Sequence, residues 1–306
     1  MRPVVLVLTG AEGLGTRLRA SLGAVPASLR LHRFPDGETR VRIEGDLSGR
    51  AVILLASLDR PDAKLVPLLF AAATARELGA RSVGLVAPYL PYMRQDLAFH
   101  RGESVGARHF AGILSASVDW LLTVDPHLHR VRRLDELFTV PAEAVHAAPA
   151  IAAWIRAEVR DPLVLGPDQE SEQWVEAVAR GADAPWAVLT KHRHGDRKVE
   201  LTLPDLGVPA GRRPVLVDDI ISTGATMRQA VALLRAAGSP APWCVAVHAV
   251  FAGDAETELR RAGAREVVTS NTLPHPTNRL DVLPALVEGV RGILARAPAA
   301  RMAGCP

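Results

Sequence analysis

The chain has 306 residues, of which 48% are hydrophobic and 23% are charged, a composition that excludes a protein disordered throughout. Its 36 basic and 33 acidic residues leave a net charge of +3, so charge gives no argument for nucleic-acid binding. The two cysteines cannot build a disulfide framework, and no apolar run reaches the ~18 residues of a membrane span. We therefore expect a cytoplasmic protein with reduced thiols and no membrane or nucleic-acid partner.

Short apolar runs alternate with Ala- and Leu-rich segments along the chain. The predicted strands are 4–8, 51–56, 83–87, 120–124, 163–165, 187–189, 215–217, 245–250 and 266–269. The predicted helices are 62–78, 106–115, 148–159, 171–180, 226–237 and 284–295. Because strands that alternate with helices form parallel sheets covered on both faces, the pattern predicts an α/β protein with mainly parallel sheets flanked by helices.

The elements fall into two blocks, which we place at residues 1–143 and 144–283. Residues 284–306 form a terminal helix and tail that could pack on either block, the first being the one we favour. Ligands of open parallel sheets bind at the carboxyl ends of the strands. The loops that follow predicted strands therefore hold the candidate site residues.

The segment 218–226 is the most informative motif. Asp218 and Asp219 come directly after the apolar run 215–217, and a loop of small and hydroxyl residues leads into a helix. The loop residues are Ser222, Thr223, Gly224, Ala225 and Thr226. Such a loop lets several N–H groups converge on one anion, and the helix N-terminus adds favourable partial charge. The motif predicts a phosphate site beside two carboxylates, which accept from sugar hydroxyls or hold a metal; the alternative is an ordinary Ser/Thr helix cap.

This motif resembles the signature of type I phosphoribosyltransferases. Five further segments occur in order along the chain, at 34–38, 88–96, 123–127, 166–168 and 191–193. Together they resemble the ribose-phosphate diphosphokinase (PRPP synthase) family over residues 30–283, and Ser222 resembles its archaeal-type members. The resemblance implies two phosphoribosyltransferase-like domains, the first with ATP-binding loops and the second with the ribose 5-phosphate loop.

The family resemblance implies an activity and its partners. The β,γ-diphosphoryl group of Mg-ATP passes to the anomeric hydroxyl of ribose 5-phosphate, giving PRPP and AMP, with Mg²⁺ as cofactor. The sugar hydroxyl attacks the β-phosphorus directly. In the family the adenine-binding loop reaches in from a neighbouring subunit, which implies a homo-oligomer with a dimer as its smallest unit.

The resemblance also implies a role for individual residues. Lys191 and Arg193 stabilise charge in the transition state from a mobile loop. The ATP-binding residues are Phe34, Asp36, Glu38, Arg94, Gln95, Asp96 and His127. His127 and Asp168 are the metal-binding residues. Asp218 and Asp219 contact the ribose hydroxyls, and the loop Ser222–Thr226 holds the 5-phosphate.

Two alternatives stay open. A phosphoribosyltransferase that consumes PRPP shares segment 218–226 but does not need segments 34–38 and 94–96. A non-catalytic relative binds nucleotide or partner subunits without turnover.

The sequence departs from the family pattern at residues 169–172, where the family has small, Gly-rich residues. This departure bears on the environment of the metal and the sugar. We interpret the basic cluster at 130–133 as an exposed turn.

Overall fold

The computed structural model describes residues 1–8, 10–194, 198–202 and 211–296, with the backbone alone at residues 170, 173, 190–194 and 198–202. These residues form two compact units. The first unit contains residues 1–145 together with the helix that begins at residue 283, and the second contains residues 146–282. The sequence placed the corresponding boundaries at residues 143 and 283.

The elements alternate along the chain. Residues 1–145 contain β1 (Val4–Val7), α1 (Glu12–Leu22), β2 (Ser28–Arg33), β3 (Thr39–Glu44), β4 (Ala51–Leu55), α2 (Pro61–Glu77), β5 (Ser82–Ala87), α3 (Gly106–Ser117), β6 (Trp120–Val124) and β7 (Ala142–Val145). Residues 146–296 contain α4 (Ala148–Glu158), β8 (Pro162–Gly166), α5 (Glu172–Ala182), β9 (Trp186–Val188), β10 (Thr190–His194), β11 (Lys198–Thr202), β12 (Arg213–Ile221), α6 (Ala225–Ala236), β13 (Trp243–Ala249), α7 (Ala255–Arg261), β14 (Glu266–Ser270), β15 (Asn278–Leu280) and α8 (Leu283–Arg296). Short 3₁₀ turns cover Leu134–Glu136 and Gln169–Ser171.

The first unit is built on a five-stranded sheet in the order β1-β4-β5-β6-β7, in which all neighbours are parallel. Every residue of β4 is buried, as expected for a central strand covered on both faces. Strands β2 and β3 form a separate antiparallel hairpin with a mostly exposed or half-buried surface.

The terminal helix α8 packs on the first unit, against α1, β6 and β7. A Cβ atom on Gly289 would lie only 2.9 Å from the side chain of Leu122, so this close approach requires glycine. Arg291 also donates to the carbonyl of Ser21 over 2.8 Å. The chain therefore leaves the first unit after β7 and returns to it at its end.

The second unit is built on a six-stranded parallel sheet in the order β15-β14-β13-β12-β8-β9. Strand β12 lies near the middle and has nine residues. It pairs with β8 as far as Leu216 and with β13 as far as Ile221. The hairpin β10–β11 is a separate two-stranded sheet, and β11 lies against α6.

The predicted α/β architecture with parallel sheets is confirmed, and two details differ. Asp218 and Asp219 do not follow a short strand, because pairing with β13 extends β12 to Ile221. Helix α6 begins at Ala225 instead of Thr226, so the connecting loop contains only residues 222–224. None of the described helices combines the length and the apolar character needed to cross a membrane.

Candidate active site

The acidic pair lies on β12, beyond the last residue of that strand that pairs with β8. Past Leu216, β12 has β13 as its neighbour while β8 ends at Gly166. Burial, followed by the like charges of Asp219 and Asp168, raises the pKa of Asp218 well above its usual range. Three carboxylates therefore share one end of the sheet, an environment that favours a cation or several hydrogen-bond donors.

The loop after β12 leads directly into the N-terminus of α6. Gly224 caps the helix in the left-handed region at φ +68°, which glycine adopts without strain. The first intrahelical bond runs from the N–H of Arg228 to the carbonyl of Gly224 over 2.8 Å. Within the described part of the chain no side chain caps this helix. The N–H groups of its first turn therefore have no side-chain partner and are available to an anion.

Asp168 lies in a closed turn after β8. The hydroxyl of Ser171 donates to the carbonyl of Asp168 over 2.6 Å, and a Cβ on Gly166 would lie 2.3 Å from that hydroxyl. The 169–171 segment, which departs from the family pattern, thus forms a 3₁₀ turn that folds back on Asp168. The turn therefore orders the backbone at Asp168 directly after its strand.

Lys191 and Arg193 lie in β10. Lys191 is opposite Leu201 of β11, and Arg193 is opposite Val199. The structure describes only the backbone of this hairpin, and Gly195 lies outside the described residues. The basic segment is therefore part of a two-stranded hairpin whose second strand lies beside the helix of the phosphate motif.

The β2–β3 hairpin of the first unit presents Phe34, Asp36 and Glu38 at its tip. The N–H of Phe34 donates to the carbonyl of Glu38 over 2.8 Å, and the carboxylate of Asp36 accepts from the N–H of Glu38 over 3.0 Å. The Phe34 ring meets His32 edge-on at 4.6 Å between ring centroids. Both carboxylate residues are exposed. The Pro-Asp-Gly turn therefore orders the tip and leaves its side chains accessible.

Two further loops of the first unit carry predicted site residues. After β5, Arg94 and Gln95 are exposed. After β6, buried Asp125 has φ +34°, and the rings of His127 and His129 meet edge-on at 4.1 Å between centroids. Because β5 and β6 are parallel neighbours, their two loops leave the same edge of the sheet.

Asp96 and Arg130 form an ion pair that the sequence did not reveal. The Nη1 of Arg130 lies 3.1 Å from Oδ1 of Asp96, and the backbone N–H of Arg130 donates to Oδ2 over 3.3 Å. Arg130 belongs to the expected exposed turn, and 56% of its side chain is exposed. The only signal in the sequence was that both residues follow strands predicted to be parallel.

The residues at this end of the second unit fit Mg²⁺. In the described residues, no three His, Cys, Asp or Glu side chains form a set that could hold a metal alone. Mg²⁺ does not need such a set, because it takes one or two carboxylates and completes its shell with water and substrate phosphates. The hard oxygens of Asp168 and the acidic pair match that requirement, and a bound cation would offset the like charges that raise the pKa of Asp218.

Models of known families match nearly the whole chain. The phosphoribosyl transferase domain matches residues 134–282, and the N-terminal domain of ribose phosphate pyrophosphokinase matches residues 4–117. With the parallel sheets and the loop at α6, these matches define an α/β protein of the phosphoribosyltransferase class.

Full-length relatives define the family more narrowly. Ribose-phosphate pyrophosphokinase from Methanopyrus kandleri is 36% identical, over 94% of this chain and 99% of that protein. The Halobacterium salinarum enzyme of the same name is 34% identical, over 93% and 100%. Phosphoribosylpyrophosphate synthetase from Mycobacterium smegmatis shares the fold, with a TM-score of 0.84 at 24% identity, over 97% of this chain and 100% of that one. The chain belongs to the ribose-phosphate pyrophosphokinase family, which confirms the resemblance read from its motifs.

Proposed function

We propose that this protein transfers the β,γ-diphosphoryl group of Mg-ATP to the anomeric hydroxyl of ribose 5-phosphate, with PRPP and AMP as products. One observation carries the proposal: in a chain of this family, two carboxylates in the last part of β12 are followed by a short loop, residues 222–224, and by a helix N-terminus that no described side chain caps. A sugar phosphate presents the matching groups, a terminal phosphate and neighbouring hydroxyls.

The second unit supplies the sugar site in this proposal. The 5-phosphate accepts from N–H groups of the loop and the first turn of α6, while Ser222, Thr223 and Thr226 add hydroxyl donors. Asp218 and Asp219 accept from the ribose hydroxyls. Because burial and like charge raise the pKa of Asp218, hydroxyl donors or a cation stabilise its ionised form when substrate binds.

The first unit supplies the nucleotide site. Phe34 stacks on the adenine ring, and the exposed carboxylates of Asp36 and Glu38 accept from its amino group. Exposed Arg94 and Gln95 contact the nucleotide, and His127 donates to its phosphates. These roles follow from the family resemblance and agree with the accessible side chains at the hairpin tip and in the β5 loop.

The reaction forms a bond between the anomeric oxygen and the β-phosphorus and breaks the bond between that phosphorus and the α,β-bridging oxygen. AMP leaves with the bridging oxygen. Phosphoryl transfer depends mainly on position and charge neutralisation, so Lys191 and Arg193 act by stabilising negative charge in the transition state. The family resemblance assigns Mg²⁺ to His127 and Asp168, and in the second unit the acidic pair shares the end of the sheet with Asp168. The ion would supply charge neutralisation on the phosphate oxygens.

A homo-oligomer, with a dimer as its smallest unit, and a cytoplasmic location complete the proposal. The neighbouring helices α2 and α3 expose large apolar side chains, with Phe70 49% and Ile113 41% exposed. Analytical ultracentrifugation tests the oligomer: the wild type sediments as a dimer or larger, and Phe70→Asp shifts it toward monomer. A wild-type monomer at assay concentration would contradict this part of the proposal.

AMP release tests the activity. We expect AMP from ATP only when ribose 5-phosphate and Mg²⁺ are both present, and none when ribose replaces ribose 5-phosphate. Base-dependent consumption of PRPP without AMP formation would indicate the phosphoribosyltransferase alternative. Binding of ATP without turnover would indicate the non-catalytic alternative.

A further inference from the structure

The pair Asp96–Arg130 connects the two nucleotide loops of the first unit. Both carboxylate oxygens of Asp96 are engaged, one by the guanidinium of Arg130 at 3.1 Å and one by its backbone N–H at 3.3 Å. The Asp96 side chain is only 7% exposed. Little of this carboxylate is left for a ligand, in contrast to exposed Arg94 and Gln95 beside it.

The contact lies next to the histidines of the β6 loop. Arg130 directly follows His129 and comes three residues after His127. No helix or strand covers residues 125–133, so the loop depends on contacts of this kind for its position. On its far side the loop is held by Glu136, whose carboxylate accepts from the N–H groups of Arg132 and Arg133 over 3.0 Å each.

We propose that Asp96 is a positioning residue that acts through Arg130 on the β6 loop and its His127, and does not contact the nucleotide. This inference rests on the proposed function, since it gives the pair its role in orienting a phosphate donor. The carboxylate fixes the backbone of the β6 loop through the N–H of Arg130, and the guanidinium adds a charge-assisted bond. A small displacement of a phosphate-binding group lowers turnover without removing the binding contacts.

A double-mutant cycle tests the proposal with AMP release as the readout. We expect Asp96→Asn and Arg130→Met each to lower kcat about 10-fold. The double variant should also lower kcat about 10-fold, whereas two independent residues would together lower it ~100-fold. The KM for ATP should change less than about 3-fold in all three variants, because no nucleotide contact is removed. Arg130→Lys, which keeps a charge for Asp96, should recover most of kcat.

Arg133→Met is the matched control. Arg133 lies on the same loop and forms an exposed ion pair with Asp135 at 2.7 Å, so Arg133→Met removes a loop arginine and its ion pair without touching Asp96. Its kcat should equal that of the wild type. Additive losses in the double variant would show that the two residues act independently, and a higher KM for ATP in Asp96→Asn but not in Arg130→Met would show a direct nucleotide contact. Either result would overturn the proposal.

A second readout does not depend on activity. The ring-proton NMR signals of His127, assigned with a His127→Gln variant, should shift in Asp96→Asn and Arg130→Met but not in Arg133→Met. Unchanged His127 signals in both variants would overturn the positioning role. A wild type that releases no AMP would instead contradict the proposed function, and the NMR comparison would still decide whether the pair orients the loop.

Discussion

The N–H of Asp219 donates to the carboxylate of Asp218 over 3.0 Å, so the backbone of the second acidic residue holds the side chain of the first. This bond lowers the pKa of Asp218, but burial and the charges of Asp219 and Asp168 act in the opposite direction and prevail. The ionised form of Asp218 is therefore unfavourable in the folded protein without ligand. In the proposed function, the stability lost here keeps a carboxylate in place for substrate.

Asp218→Asn should stabilise the protein and weaken sugar binding. We expect a gain of about 1 kcal/mol at neutral pH, a rise in Tm of roughly 2–4 °C, and a KM for ribose 5-phosphate about tenfold higher because charged acceptors are lost. Thermal melts and the initial-rate assay measure the two effects. An unchanged KM for the sugar would contradict the hydroxyl contact.

The stabilisation by Asp218→Asn should depend on pH. The folded-state pKa is raised, so wild-type stability falls as pH increases from the ordinary value of 3.8 through the raised value. The difference in Tm between variant and wild type should therefore be absent below about pH 3.8 and grow above it. Asp135→Asn is the control, because Arg133 lowers the pKa of that exposed carboxyl, and it should give no such gain. A difference independent of pH would contradict this electrostatic origin.

Lys191→Ala should affect turnover far more than binding. If its charge acts in the transition state, kcat should fall roughly 10²–10³-fold while the KM for ATP changes little. Lys198→Ala is the matched control and should retain near-normal kcat. Lys198 lies in the second strand of the same hairpin, where it is opposite His194 and not Lys191. A loss of affinity for ATP without a further loss in kcat would mean that Lys191 only binds substrate.

Gly224→Ala should destabilise the phosphate loop through its backbone. Its added Cβ meets Leu259 and Ala255 at ordinary distances of 3.6 and 3.7 Å, so the cost comes from φ +68° and should be about 1 kcal/mol. The KM for ribose 5-phosphate should rise. Gly238→Ala has a comparable φ of +75° at the other end of α6 with nothing near its Cβ, so it should cost similar stability and leave that KM unchanged. Equal KM values for the two variants would contradict the loop's role.

Phe34→Ala should weaken ATP binding without lowering stability. Loss of an aromatic ring under the base should raise the KM for ATP roughly tenfold, since stacking on a base is worth about 1–3 kcal/mol. The half-buried ring lies at a hairpin tip, so Tm should stay near that of the wild type. Phe34→Tyr keeps the ring and should behave like the wild type. A KM for ATP raised as much as in Phe34→Ala would show that stacking is not the cause.

The sequence predicted the elements with continuous apolar runs and missed those whose buried side chains are few or alternate with exposed ones. The fully buried strands β4 and β6, apolar except for Thr123, were correctly placed. The hairpin strands β2 and β3 were not among the predicted strands, because their half-buried Leu, Val and Ile side chains alternate with exposed polar ones and form no continuous apolar run. The short helix α7 was missed for a similar reason, since it buries only Ala255 and Leu259.

The candidate site was predicted to a similar extent. The phosphate motif was visible because its residues are contiguous, whereas the link from Asp96 to Arg130 spans 34 residues and depends on adjacent strands. The extension of β12 past Asp219 depends on β13, which is a partner distant in sequence. Local chemistry was therefore readable, and the contacts that position it required the fold.

³¹P NMR of the protein with ATP, ribose 5-phosphate and Mg²⁺ follows the transferred group itself. We expect the ATP signals to be replaced by those of AMP and of a diphosphate ester attached to the sugar, in equal amounts and without free orthophosphate. ATP signals that persist, or that give ADP and a sugar monophosphate, would contradict transfer of the diphosphoryl group.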